Sequence, residues 1–168
     1  MKRKGLVAVT SAIALSLLAS MVTSTSAKAA VNCDPYTGYK GLKGKTVTIF
    51  TSILEPELTT LQTAWKDFTT CTGVKIKIEG SNQFEALLPV RVKGGNAPDL
   101  AFIPQPGLLA KLVAMGSVVP APKAVEANVD KYWSKSWKAY GTVNGKFYAA
   151  PFGSNMKSLV WYSPKQFK

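Results

Sequence analysis

Ser52, Glu55, Gln83, Glu85 and Gln105 are the residues of this sequence whose types and spacing could do chemistry. Each follows an apolar run by a few positions: "TVTIFT" precedes Ser52 and Glu55, "VKIKIEG" precedes Gln83 and Glu85, and "LAFI" precedes Gln105. Hydroxyls, amides and isolated carboxylates make hydrogen bonds; proton transfer and nucleophilic attack need an activating partner. The chain contains no histidine, so the usual base for a serine or cysteine nucleophile is missing. It also lacks G-x-S-x-G, a phosphate-binding glycine loop and any Cys/His metal spacing. Glu55 and Glu57 look like an acid/base pair, but two residues apart on a helix they point in different directions. Beside Pro56 they fit the positive start of a helix. "GGNAPD" follows a helix signal and precedes a strand, the wrong order for cradling a phosphate. No enzyme activity, catalytic residue, cofactor or metal site is expected.

The elements that must position these groups alternate between strand and helix. Thr46 to Thr51 is β-branched and aromatic, a strand. A helix opens at Glu55-Pro56-Glu57, carries Leu58, Leu61, Trp65 and Phe68 as one stripe, and ends at Gly73. Val74, Ile76 and Ile78 alternate with charged residues in a second strand with one buried face. Asn82 and Glu85 suggest a capping box for a second helix bearing Phe84, Leu87 and Leu88, kinked at Pro89 and stopped by Gly94-Gly95-Asn96. Asp99 to Ile103 is a third strand, and Leu108, Leu109, Leu112 and Val113 form a third helix closed by Gly116. Beyond Val118, Tyr132, Trp133 and Trp137 suggest a short aromatic helix, and Val143-Asn144-Gly145-Lys146 a hairpin turn.

Strand–helix repeats of this length predict an α/β domain, a mostly parallel sheet flanked by helices. Ligands of open α/β sheets bind beyond the carboxyl ends of the strands. The polar residues gather at that edge, together with Ser81. Capping or turn formation accounts for each residue singly; their convergence suits a polyhydroxylated ligand such as a sugar. Gln105, held between Pro104 and Pro106, would be a stiff part of such a rim, bound at little ordering cost.

Residues 1–29 read as a secretory signal peptide: Lys2, Arg3 and Lys4, an apolar stretch to Val22, then Ala27-Lys28-Ala29. The expected location is therefore outside the cytoplasm, periplasmic or extracellular. Asn32 before Cys33 is a poor lipid-attachment signal, so no lipid anchor is expected. The formal charge of +12 falls to +8 without that segment, from 17 basic and 9 acidic residues. The lysines are scattered and no nucleic-acid motif occurs, so no nucleic-acid partner is expected. Cys33 and Cys71, in an exported chain, are expected to form a disulfide.

Three stretches, "VTIFTSILEPEL", "FTTCTGVKIKIEGSNQFEALLPVRVKGGNAPDLAFIPQPGLL" and "NGKFYAAPFGSNMKSLVWYS", resemble the N-terminal part of extracellular solute-binding proteins of sugar ABC importers. The maltose-binding and α-glucoside-binding branch is the most similar. The resemblance implies the N-terminal lobe of a two-lobed periplasmic-binding-protein-like fold, monomeric, that captures a sugar and delivers it to the permease subunits of an ABC importer. Residues 30–150 would be the lobe and 151–168 the start of a hinge crossover to a second lobe, the last strand ending in Trp161-Tyr162. It carries the ligand contacts onto Ser52, Glu55, Gln83, Glu85, Gln105 and Asn155. Gln105 and Asn155 stand where maltose binders have charged residues, which points to an α-glucoside or another small oligosaccharide. Two alternatives stay open: a cationic solute held by Glu55 and Glu85, and an exported adhesion or interaction domain presenting Tyr132, Trp133 and Trp137. The lobe reading expects Trp133 and Trp137 to be largely packed.

Overall fold

A computed structural model describes residues 30–39, 41–154 and 159–167; the segment expected to be a signal peptide and Asn155 lie outside the described residues. Three parallel strands, β1 (Thr46–Thr51), β2 (Lys75–Gly80) and β3 (Leu100–Phe102), form a sheet in the order β2-β1-β3. Strand β1 is central and carries no charged residue. Its last residues, Ile49, Phe50 and Thr51, are all buried. In β2, Lys75, Lys77 and Glu79 alternate with half-buried Ile76 and Ile78, the one-faced pattern read from the sequence.

The helix expected after β1 is two, α1 (Glu57–Ala64) and α2 (Lys66–Thr72), broken at Trp65. Gly73 closes α2 in the left-handed conformation, φ 69°, where a side chain would be strained. Helix α3 (Phe84–Lys93) runs on through Pro89, so the expected kink does not end it. The capping box does not form: Gln83 is the N-cap without a side-chain bond, and Glu85 turns to another partner. Helices α4 (Pro106–Ala114), α5 (Lys123–Tyr132) and α6 (Lys135–Tyr140) follow. Strands β4 (Thr142–Val143) and β5 (Lys146–Phe147) make the expected hairpin, with Asn144 and Gly145 both at positive φ, as a two-residue turn of this hand requires.

Phe50, Phe84, Leu88 and Leu112 form the core on one face of the sheet, with Ala101 and Ile103 packed against them. Helices α3 and α4 therefore cover that face. Thr51 and its register partner Phe102 point to the other face, where Phe102 meets Trp65 between α1 and α2. The chain thus leaves β1 toward one face and β3 toward the other.

The entrance to β3 is tied to β1 by side-chain bonds. The Asp99 carboxylate accepts from the Thr48 amide at 2.8 Å and the Thr48 hydroxyl at 2.7 Å, while the Asp99 amide donates to Thr48 Oγ1 at 3.0 Å. The Thr48 hydroxyl, then its amide, hold the Asp99 carboxyl below its ordinary value. A depressed folded-state value stabilises the fold above the unfolded carboxylate range of ~3.9 and fades as pH falls through the folded value. Asp99→Asn is accordingly expected to lower the thermal midpoint at pH 7, with the deficit shrinking as pH falls below the unfolded carboxylate value of ~3.9. Midpoints measured from pH 2 to pH 7 check this, and a pH-independent deficit would contradict it.

The segment expected as a strand ending in Trp161-Tyr162 is not one: residues 159–162 have no ladder partner among the described residues and are exposed. An apolar, β-prone sequence becomes a strand only when a neighbour satisfies its backbone.

Candidate functional site

The strand order places a topological switch between β1 and β3, because adjacent strands there send their connections to opposite faces. The residues read as candidates lie on both sides of it. Ser52 and Glu55 follow β1, and Gln105 follows β3 as the N-cap of α4. Gln83 and Glu85 open α3, beyond β2. All five are exposed.

Two of the five meet directly. The Gln105 side-chain amide donates to both carboxylate oxygens of Glu85, 3.0 Å each, across 20 residues of sequence. Proline on either side explains how Gln105 is aimed. Its backbone is extended, φ −137° and ψ 133°, the conformation favoured before a proline, and Pro106 starts the helix where its missing N–H costs nothing. Gln105 is therefore a stiff bridge between the starts of α3 and α4, its side chain free of capping duty.

Glu55 is committed differently. Its carboxylate accepts from the Thr59 amide at 3.2 Å and the Thr59 hydroxyl at 2.7 Å, closing the first turn of α1. That is the helix-start role its neighbours suggested. Gln83 keeps its side chain outside the cap, and its amide donates to Ser81 Oγ at 3.1 Å. Ser52 is set by the buried Thr51, whose hydroxyl accepts from the Ile53 amide at 3.1 Å and so shapes the turn. Among the described residues no hydrogen bond joins Ser52 or Glu55 to the Gln105–Glu85 pair. The rim is two flanks of a crevice, one hydroxyl–carboxylate and one amide–carboxylate. This arrangement can donate to and accept from neutral polar groups.

Cys33 and Cys71 are bridged, with Cα atoms 5.3 Å apart, at the C-terminal end of α2. Among the described residues no cluster of three His, Cys, Asp or Glu could hold a metal, and no helix is long and apolar enough to cross a membrane. An open depression of about 300 Å³ lies elsewhere, beside the loop entering β3, between Lys77, Glu79, Arg91 and Asn96. Arg91 and Glu79 already pair across it. The Arg91 hydrogen bond lowers the Glu79 carboxyl, and the same bond raises the guanidinium. The depression is not at the carboxyl edge.

Sequence reasoning missed the aromatic part of the edge. Phe152 stacks on Phe102 with ring centroids 4.5 Å apart, and Trp65 meets Phe102 edge-on. Nothing in the spacing of Trp65, Phe102 and Phe152 connects them; an aromatic close behind Pro151 was the only signal. The tryptophans set to separate the readings divide: Trp133 is half-buried, while Trp137 is 37% exposed, with Tyr132 and Tyr140 more exposed still.

Comparison with known proteins adds independent ground. Residues 52–168 match the family described as bacterial extracellular solute-binding protein. The osmoprotective compounds-binding protein GgtB of Synechocystis is 35% identical over 129 residues, 73% of this chain and 30% of that protein. The alpha-glucosides-binding periplasmic protein AglE of Rhizobium meliloti is 35% identical over 134 residues, 76% of this chain and 29% of that protein. The chain thus spans about three tenths of these relatives' length. Among solved structures, the maltose-maltodextrin binding protein of Alicyclobacillus acidocaldarius shares the fold at TM-score 0.56 and 18% identity, over 64% of this chain and 30% of that one. The GacH receptor of Streptomyces glaucescens does so at TM-score 0.56 and 22% identity, over 64% and 28%. With the family match covering most of the chain and the parallel sheet carrying its polar rim at the switch point, the chain belongs to the bacterial extracellular solute-binding proteins.

Proposed function

We propose that this protein is the substrate-binding component of an ABC importer, capturing a neutral sugar outside the cytoplasmic membrane and handing it to the permease. An α-glucoside or a small oligosaccharide is the substrate class. Residues 1–29 act as the export signal, residues 30–150 form the lobe, and 151–168 begin the crossover to the partner lobe. The protein works as a monomer without a lipid anchor. Ser52, Glu55, Gln83, Glu85, Gln105 and Asn155 form this lobe's share of the site.

The observation that carries the reading is the Gln105–Glu85 bridge at the switch point. It fixes a planar amide at the crevice, and a fixed donor–acceptor pair recognises hydroxyls without ordering cost. The same bond argues against a cationic solute. Both Glu85 oxygens already accept from Gln105, and Glu55 already closes α1. A cation would share that carboxylate charge with donors already in place. The name of AglE, an alpha-glucosides-binding protein, supports a neutral polyhydroxylated ligand.

The exposed Tyr132, Trp137 and Tyr140 favour a second reading, an exported interaction domain whose aromatic surface is α5–α6. Titration of the full-length protein with maltose, trehalose, sucrose and putrescine, followed by tryptophan fluorescence, separates the readings. Saturable binding of a glucoside is expected, weakened about tenfold or more by Gln105→Ala, the loss of one well-placed hydrogen bond to the ligand. Putrescine binding without a sugar response would sink the sugar assignment.

A further inference from the structure

Gly80 is the last residue of β2 and the register partner of Thr51, the last of β1. Its φ is not positive, unlike those of Gly73, Gly95 and Gly116, so left-handed freedom does not explain it. What the position demands is space. A Cβ placed there would overlap the Ile53 carbonyl oxygen and stand 3.4 Å from Leu54 Cδ2. The first obstacle is backbone, which cannot swing aside like the end of a long side chain. Glycine at a strand position commonly marks a site where another backbone comes close. The backbone that comes close here is the turn carrying Ser52 and Glu55.

That turn is fastened at three points. The Thr51 hydroxyl accepts from the Ile53 amide at 3.1 Å, and the Thr51 carbonyl accepts from the Ser81 amide at 2.9 Å. The third point is the Ile53 carbonyl resting on Gly80. From Ser81 the chain enters α3: its hydroxyl accepts from the Gln83 amide and its carbonyl from the Phe84 amide, 3.1 Å each. Gly80-Ser81 is thus the joint where one flank of the crevice touches the chain leading to the other. No side-chain hydrogen bond among the described residues ties Ser52 or Glu55 to the Gln105–Glu85 pair. The spacing of the flanks is left to backbone contact at this joint.

We infer that Gly80 is a positioning residue of the binding site. By lacking a side chain it lets the turn after β1 settle on the end of β2, which fixes Ser52 and Glu55 relative to Gln83 and Glu85. The inference rests on the binding function proposed above and goes beyond it, because Gly80 acts through the turn and not on the ligand. A methyl group at position 80 displaces that turn, while Gln105 and Glu85 keep each other in place. Ser52, Leu54 and Glu55 are exposed, so the turn can give way without opening the sheet.

The test titrates the full-length parent and its variants with maltose, trehalose and sucrose by calorimetry, at a temperature where urea unfolding shows each to be folded. Gly80→Ala is expected to weaken binding about tenfold, as for one well-placed hydrogen bond lost. Added to Ser52→Ala it should cost less than about threefold more, because the group it displaces is already gone; added to Gln105→Ala its full effect should multiply. A purely structural role would multiply equally with both. Thr51→Val loosens the same turn without adding bulk, and should give the same pattern should alanine at position 80 prevent folding. Amide NMR of the ligand-free protein should show Gly80→Ala moving residues 51–55 and sparing the Gln105 side-chain signals. Parental affinity in folded Gly80→Ala, or equal multiplication with both partners, would overturn the positioning role and leave the sugar reading intact. A parent that binds none of the three sugars would overturn the sugar reading, and unmoved amides at 51–55 would overturn the contact at Gly80 whether or not sugar binds.

Discussion

Phe84→Ala is expected to cost about 3–5 kcal/mol of folding stability, the range for emptying a buried aromatic site. Phe84 is fully buried, its ring centroid 4.9 Å from that of Phe50, and it joins α3 to the sheet together with Leu88 and Leu112. Among the described residues four buried side chains make this cluster, with partly buried ones such as Leu87, Ala101 and Ile103 packed around it, so truncation opens a void in close-packed surroundings. A loss of that size is a large part of the ~5–15 kcal/mol that holds a typical domain folded. Urea unfolding followed by tyrosine and tryptophan fluorescence measures it, and a loss below about 1 kcal/mol would contradict the placement of Phe84 at the centre of the core. Phe84 also stands between Gln83 and Glu85. The same substitution is therefore expected to weaken ligand binding by letting the start of α3 shift, whereas Phe84→Leu should lose less of both.

Removing the disulfide is expected to cost nearly as much. The bridge joins positions 38 apart, and in the chain-entropy model a loop of that length contributes about 4 kcal/mol. The double variant Cys33→Ser/Cys71→Ser should show that loss in denaturant unfolding, and the parent should match it once reduced. The local structure says where the loss will be felt. Residues Asp34–Tyr39 form a 3₁₀ turn whose Tyr36 and Tyr39 rings both pack edge-on against Phe68 of α2. Without the bridge this turn is held by those two rings and by the bond from the Gly44 amide to the Gly73 carbonyl. Faster amide exchange is expected in residues 34–45 than at the rim. Parent and double variant with equal unfolding midpoints would show that the bridge does not form in solution.

Much of the domain was legible because its signals are local. The alternation of Val74, Ile76 and Ile78 with charged residues needs only a strand's two-residue period, and it appears as the one-faced β2. Gly73, Gly95 and Gly116 marked helix ends because glycine alone takes positive φ without strain, and all three do. Asn144-Gly145 specified its hairpin for the same reason. The position of the candidate residues was legible too, since residues that directly follow strands of a parallel sheet share one edge whatever else the chain does.

What failed was decided by partners distant in the chain. Asn82 and Glu85 have capping-box spacing, but Glu85 has a better-placed donor in Gln105, an amide with two N–H groups held stiffly by prolines. The stripe Leu58, Leu61, Trp65 and Phe68 reads as one helix. In the fold, Trp65 turns to Phe102 and Phe68 to Tyr36 and Tyr39, and the helix breaks between the two demands. The apolar run before Trp161-Tyr162 has every strand propensity and no ladder partner among the described residues.

By itself, then, the sequence determined the α/β class, the two well-patterned strands, the glycine-closed helices, the cysteine pair and the edge on which the polar groups gather. These follow from periodicity, backbone freedom and chain direction, each a property of a few consecutive residues. Only the tertiary structure decided that Gln105 and Glu85 bond to each other, that Asp99 is fastened to Thr48 across 51 residues, and that Phe152 comes to rest on Phe102. The first two of those contacts depend on the order β2-β1-β3, which sets β3 beside β1 and puts the starts of α3 and α4 on one edge. Strand order is a packing outcome of the whole chain, and no stretch of it short enough to read locally carries that information.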